Sequence, residues 1–463
     1  MALTPFAPGA VDSRRTADMF VQMRKQGADL ERQLTTGRRA DSYGGLGIKR
    51  GQALDLRARI SGLESWQQGI KSADTRLKMM LQSIQGLDKI ATDTKAVAAM
   101  PASKVIPGAN PQEQMLAQAN LQGAIDFLNA EFGGRSLFAG RAHDEKPVAN
   151  YNTIMQGVGQ AIADRANDDG VGTGGTGLLD VTRTGAMVEI ADNGDEDFGF
   201  TITGASSSGG SVTVTGAASP ASFTVTQSPA VGERINLILD LPDGTRREVS
   251  LIAETTAGPG QFVTGGSLAQ IAENIENAMQ DALESEASTS LTAASALMAS
   301  QGFFDDPANW YSGSDAGDPG QARSTATLRI DETQTVGSGA QANEDAFRTL
   351  LSQLAAISAT DFSDGSTQRL EAMMSRVRDN LTPQGGEQSI AQIGMELGVA
   401  ASTMSEAAER HKATQVMVQN ELGDIEDTNT EETVAKLLTL QTRLQASYQT
   451  TSLLSRLSLV NFL

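Results

Sequence analysis

The chain has 463 residues, a formal net charge of −20 and only 4% aromatic residues. It contains no cysteine, which excludes disulfides, thiolate nucleophiles and Cys-ligated metals. Charge is segregated, with a net of +6 over residues 1–100 and −18 over residues 161–320, and no basic cluster with interleaved aromatics suggests nucleic-acid binding.

In chain order, residues 11–36 read as a helix with Val11, Met19, Val21, Leu30 and Leu34 as short apolar steps. Glycines 37, 44, 45 and 47 break it. A long helix follows from about 50 to 99. Leu56, Leu63, Ile70, Leu77, Ile84 and Ala91 recur every seven residues, with Trp66, Ala73, Met80 and Leu87 at the complementary offset. This is a sustained a/d heptad seam. At 1.5 Å per residue such a helix runs to roughly 75 Å, too long for a compact globule. Three prolines interrupt at 100–111. A helix at about 111–132 then carries Ala117, Leu121, Ala124 and Leu128 on one face, and residues 134–148 read as a hairpin with Leu137 and Phe138 as its apolar part.

The middle alternates short β-branched runs with Gly, Ser and Asn turns, a strand signature. Its clearest hairpin sets Ile235, Leu237 and Leu239 against Val249, Leu251 and Ala253 across the turn PDGT, and a helix at 267–287 follows. The acidity concentrated here is that of a solvated outer surface. Helices resume at 340–358, 365–381, 387–426 and 430–460. The 387–426 helix repeats Ile390, Leu397, Met404, His411, Val418 and Ile425 at steps of seven. The expected fold is therefore mainly α with an inserted α+β region. The N- and C-terminal segments would form a long antiparallel coiled-coil rod, because helices this long need partners.

No motif makes an enzyme. Gly170, Gly172 and Gly175 spell G-x-G-x-x-G, but polar ADRANDD precedes them and strand-like TGLLDVT follows, the reverse of a dinucleotide site. DNGDED at 192–197 lacks the spacing of a calcium loop. The two histidines, His143 in the proposed hairpin and His411 on a heptad stripe, have no supporting cluster. No catalytic, cofactor or metal site is expected. The N-terminus has no apolar signal-peptide core, so export would use a route that reads none. No stretch is apolar enough for membrane insertion.

The end of the chain is different. Leu437, Leu440, Leu444 and Tyr448 share one side of the last helix with Val434, and Leu453, Leu454, Leu457, Leu459, Val460, Phe462 and Leu463 cover nearly every side of its end. A helix apolar all round is buried all round. We therefore expect other copies of the chain to cover it, with Leu437, Leu440, Leu444, Tyr448, Leu453, Leu454, Leu457, Val460, Phe462 and Leu463 as the assembly interface.

These same residues carry a resemblance. The run IEDTN…E…L…Q…LQASYQ within 424–463, with its apolar end, resembles the C-terminal helix of the bacterial flagellin and hook-associated protein family. LERQLTTGRRADSYGGLG (30–47) resembles that family's N-terminal break between helices. LNAEFGGRSLFAGRAHDEKPV (128–148) and the ending SLVNFL resemble its hook–filament junction members, also called hook-associated protein 3. The ADSYGGLG segment departs from the family pattern, and nothing specific matches in the insert.

The resemblance implies a non-enzymatic structural subunit of the extracellular flagellum, exported unfolded, whose ends order on assembly. It implies as partners further copies, other axial proteins (hook-associated proteins and flagellin), the export apparatus and an export chaperone. It implies assembly helices at 1–45 and 428–463, the two halves of a helical rod at 46–149 and 336–427, and an acidic outer domain at 150–335. A hook–filament junction protein is the leading expectation. Filament flagellin is the near alternative, and a coiled-coil adhesin or scaffold with a β-rich head the distant one.

Overall fold

The computed structural model describes residues 8–172, 174–193, 197–314 and 319–460. Its principal helices are α1 (Pro8–Thr36), α2 (Arg50–Ala98), α3 (Gln112–Leu128), α4 (Tyr151–Asp168), α5 (Leu268–Glu286), α6 (Thr292–Asp305), α7 (Asp345–Ala359), α8 (Thr367–Asn380), α9 (Ile390–Glu426) and α10 (Thr430–Val460). Its strands include β1 (Glu131–Phe132), β2 (Arg135–Ser136), β3 (Leu179–Thr184), β4 (Met187–Asp192), β5 (Thr201–Ser207), β6 (Val212–Thr215), β7 (Ala221–Val225), β8 (Arg234–Asp240), β9 (Arg246–Glu254) and β10 (Gln261–Val263). The fold is mainly helical, with long helices towards both ends and small sheets in the middle.

The heptad positions are where the chain buries itself. Leu56, Leu63, Ile70, Leu77 and Ile84 of α2 are buried, and so is every member of the α9 stripe from Ile390 to Ile425. Met80 and Leu87 of the complementary row are buried as well, while Trp66 and Ala73 of that row and Ala91 at the end of the first are half-buried.

The chain divides into two compact units. The first comprises the described residues of Met1–Ser72, Arg329–Gln334 and Met404–Leu463. Here α1 packs on α10, and the start of α2 meets the end of α9 through Ala53, Leu56, Val418 and Ile425. Both pairs are antiparallel. Gln52 donates to Glu421 at 3.0 Å and Gln67 to Gln415 at 3.0 Å, so one helix ascends as the other descends. His411, 4% exposed, stacks on Trp66 at 5.3 Å and donates its Nε2 hydrogen to the Ile330 carbonyl at 2.6 Å.

The second unit comprises the described residues of Ala73–Leu328 and Thr335–Thr403. A helical part packs α7 against α3, α4 and α6. Two helices in it, α4 and α6, lie inside the stretch read from sequence as a β-rich insert. The signal for α4 was present: Asn150 caps it by accepting from the Thr153 N–H at 3.0 Å, and Ile154 and Val158, one turn apart, are buried.

The hairpin is also displaced. The sequence places it at 134–148, but the paired strands are β1 and β2, turning on Gly133 and Gly134. Both glycines have positive φ, 61° and 75°, which makes the tight reversal inexpensive. That turn also ends the preceding helix at Leu128, four residues earlier than its periodicity suggests. Leu137, Phe138 and Ala139 then run into the core, where Ala139 bridges to Gln341.

The β-rich part holds two four-stranded sheets, ordered β10-β9-β8-β5 and β3-β4-β7-β6. Helix α5 packs against strands of both. Its N-terminus is a capping box between Ser267 and Gln270. The β8–β9 hairpin has the anticipated register, with Leu237 opposite Val249. Ile235, Leu237, Leu239, Val249, Leu251 and Ala253 all face the core with Ile271, Ile275 and Met279 of α5.

Candidate assembly interface

The terminal helices α1 and α10 carry the candidate site. Their pairing can be followed along its length. Phe20 stacks on Tyr448 with ring centroids 5.0 Å apart, and Arg24 donates to the Tyr448 hydroxyl at 3.1 Å. Gly27 lies against Leu440, where an added Cβ would stand 3.6 Å from a Leu440 methyl. Thr428 donates its backbone N–H to Gly37 at 2.9 Å, and Arg38 forms an antiparallel bridge with Asp427. Rising numbers on one segment meet falling numbers on the other.

That last contact joins the two segments whose wording carried the family resemblance. The break after α1, TGRR, is held to the IEDTN turn between α9 and α10. Arg39 donates its backbone N–H to the Glu426 carbonyl at 2.7 Å, and the Arg57 guanidinium grips the Glu426 carboxylate with Nε at 2.9 Å and Nη2 at 2.5 Å. The Arg57 guanidinium also lies 5.6 Å from the centre of the Tyr43 ring. A bidentate pair of this kind sets direction as well as proximity. Sequence periodicity carries no signal for such a contact, because Arg57 lies on the polar side of α2 and Glu426 at the last residue of α9, neither in an apolar repeat.

The pairing buries only part of the apolar surface. Leu440 is 8% exposed and faces α1, while Leu437 and Leu444 are half-buried. Tyr448 remains 48% exposed even with Phe20 against it, and Leu453 is 59% exposed. The side chains of Leu454, Leu457 and Val460, and residues Phe462 and Leu463, lie outside the described residues. Leu438, absent from the residues singled out by sequence, is 58% exposed, and Met19 and Val21 of α1 are about half exposed. The missed signal for Leu438 was its place in the run LLTL, which puts leucine on two sides of α10 rather than one. A groove of about 620 Å3 runs between α1 and α10, lined by Leu30, Gln33, Ala435 and Leu440 with Asp29 and Lys436 at its sides.

The glycine motif forms a backbone loop. Gly170, Gly172 and Gly175 form a closed loop at the end of α4, in which Gly175 donates its N–H to the Gly172 carbonyl at 2.8 Å. A Cβ on Gly175 would fall 2.2 Å from the Gly170 carbonyl oxygen, so glycine is needed for backbone to approach backbone. Buried Asp169 anchors this loop, accepting from Arg165 Nε at 2.8 Å, the Gly199 N–H at 3.0 Å and the Ser295 hydroxyl at 2.5 Å. Of DNGDED, residues 194–196 lie outside the described residues. Among the described residues no group of three or more His, Asp or Glu could hold a metal ion, and no helix is long and apolar enough to cross a membrane.

Comparison with known proteins agrees with this geometry at both ends. Residues 13–143 match the bacterial flagellin N-terminal helical region, and residues 387–463 match the bacterial flagellin C-terminal helical region. No curated protein matches the chain. The matched regions contain the helices that pair in the first unit and both breaks that Arg39, Arg57 and Glu426 tie together. By its two terminal helical regions, this chain belongs to the bacterial flagellin family, the structural subunits of flagella.

Proposed function

We propose that the protein is exported to the extracellular flagellum and forms the junction between hook and filament. Its α1–α10 pair is the surface through which it joins further copies and the neighbouring axial proteins. The observation that supports this is the apolar area left over after the two helices have paired. Leu438, Tyr448 and Leu453 stay in water in a single chain, and at ~25 cal/mol per Å2 covering a few such side chains stabilises an assembly by several kcal/mol. On this reading Leu437, Leu440 and Leu444 hold α10 to α1. Tyr448 and Leu453, with Leu454, Leu457, Val460, Phe462 and Leu463, meet the next subunit.

The junction role rests on the 128–148 segment and the SLVNFL ending. Delivery by the flagellar export apparatus, with a chaperone covering the apolar end, follows from that role. A filament flagellin is the second reading, favoured by the match of both terminal regions to flagellin. Seeding purified protein on filament fragments tests the two. A short collar at the fragment end is expected, and growth to micrometre lengths sinks the junction role in favour of the filament. Limited proteolysis of dilute monomer separates both from an adhesin or scaffold, because protease-resistant segments at 1–40 and 430–463 in a lone chain contradict ordering on assembly.

A further inference from the structure

A second polar feature of the matched N-terminal region is only partly satisfied among the described residues. Arg76 on α2 reaches strand β2 of the β1–β2 hairpin, where its Nη2 lies 3.4 Å from the Ser136 carbonyl oxygen, a long and weak hydrogen bond. Arg135 is the neighbouring residue on β2. His143 is tied to the same place, because Ser136 donates its backbone N–H to the His143 carbonyl at 2.8 Å. The Arg76 guanidinium and the His143 backbone thus meet at Ser136, beside Arg135 on the same short strand. Arg76 Nε and His143 Nδ1 are both buried and lack any hydrogen-bond partner.

The electrostatics agree with the geometry. Burial lowers the pKa of Arg76, and the Arg135 charge lowers it further. Burial also lowers the pKa of His143, the charges of Arg76 and Arg135 add to that, and Asp144 alone opposes them. Leaving buried polar nitrogens unpaired costs about 1–3 kcal/mol each, so a protein rarely keeps them without a use. A planar or tetrahedral oxyanion would accept from both guanidinium groups at once and relieve their mutual repulsion.

We propose that Arg76, Arg135 and His143 form an oxyanion site, filled in the assembled state by a side-chain carboxylate of a second copy of this chain. The choice of source rests on the assembly reading above and on charge. Each copy carries a net −20, of which −18 falls in residues 161–320, so a neighbouring subunit brings carboxylates in excess.

The test uses the full-length protein in two arms. In the first, monomer labelled with 15N-histidine is titrated with inorganic phosphate and separately with acetate. With only two histidines in the chain, His143 is expected to shift and saturate, His411 to stay still, and Arg76→Gln/Arg135→Gln to abolish the response. In the second, seeded polymerisation is followed against salt. Arg135→Gln alone, at an exposed position that leaves the fold intact, is expected to raise the critical concentration about tenfold at low salt and to flatten its salt dependence. A silent His143 together with an unchanged critical concentration overturns the site. Phosphate binding with unchanged polymerisation overturns the second copy as its source. Failure of the unsubstituted protein to polymerise at all overturns the assembly reading and the second-copy source with it, while the phosphate titration still decides whether the oxyanion site exists.

Discussion

Arg376 on α8 is paired with Asp243 in the turn between β8 and β9, with Nε 2.5 Å from the carboxylate. Its Nη2 donates to the Thr245 hydroxyl at 2.9 Å and its Nη1 to the Ala372 carbonyl at 3.2 Å. The Arg376 side chain is 7% exposed and that of Asp243 16%. The β-rich part is therefore mounted on the helical part of its unit by a largely dry ion pair. Arg376→Leu leaves Asp243 buried without its cation. A loss of about 3 kcal/mol in urea unfolding is expected, and much less in Arg376→Leu/Asp243→Leu, where both charges go.

The pH dependence of two buried carboxyls should have opposite signs. Burial works against charge on Asp243, but hydrogen bonds from Thr245 and the Arg376 charge outweigh it and hold the pKa below its ordinary value. That group contributes stability above the usual carboxylate range and withdraws it as pH falls below about 4. Glu344, 1% exposed, is the reverse. Burial pushes its pKa up against the Arg323 charge and the hydrogen bonds from Gln341, Arg323 and Gln388. The native state there holds its proton more tightly than the unfolded chain, so stability rises as pH falls from neutrality towards the ordinary glutamate range. Urea midpoints between pH 7 and 3 check both. Asp243→Asn should flatten the acid limb, and Glu344→Gln the rise above it.

His411→Leu should cost about 1–3 kcal/mol, because the Ile330 carbonyl loses the donor at 2.6 Å. Tryptophan emission reads the change directly in a Trp310→Phe background, since Trp66 then remains as the single indole. Loss of the stacked imidazole should shift that emission, and an unaltered spectrum would contradict the stacking.

Leu438→Lys and Leu453→Lys test the assembly surface. Both residues are more than half exposed, so monomer stability should change by no more than about 0.5 kcal/mol. Seeded polymerisation should fail. Leu440→Ala should behave differently: it weakens the hold of α10 on α1, so a raised critical concentration rather than outright failure of polymerisation is the expected readout.

Gly175→Ala should destabilise by about 1–3 kcal/mol in thermal or urea unfolding, because its Cβ cannot fit beside the Gly170 carbonyl. Nucleotide titration of the same variant and its parent should show no binding in either.

The a/d positions of α2 and α9 could be named from the sequence because a seven-residue apolar repeat leaves a helix one way to bury itself. Ile235, Leu237 and Leu239 could be named because a strand alternates in the same compulsory way. Those local periods determined the mainly helical fold and the clearest hairpin, while the resemblance of the two ends rested on particular residue runs such as IEDTN and TTGRR. Tertiary structure alone decided the rest. Arg57 meets Glu426 and Arg376 meets Asp243 across separations that no period encodes, since polar partners far apart in the chain are selected by where the backbone brings them. The same holds for α10: its leucines announce burial, but which of them α1 covers and which stay open depends on how the two helices rotate against each other. Leu440 lies inside and Leu438 outside by virtue of that rotation, and so the surface left for a neighbour belongs to the packing rather than to the pattern.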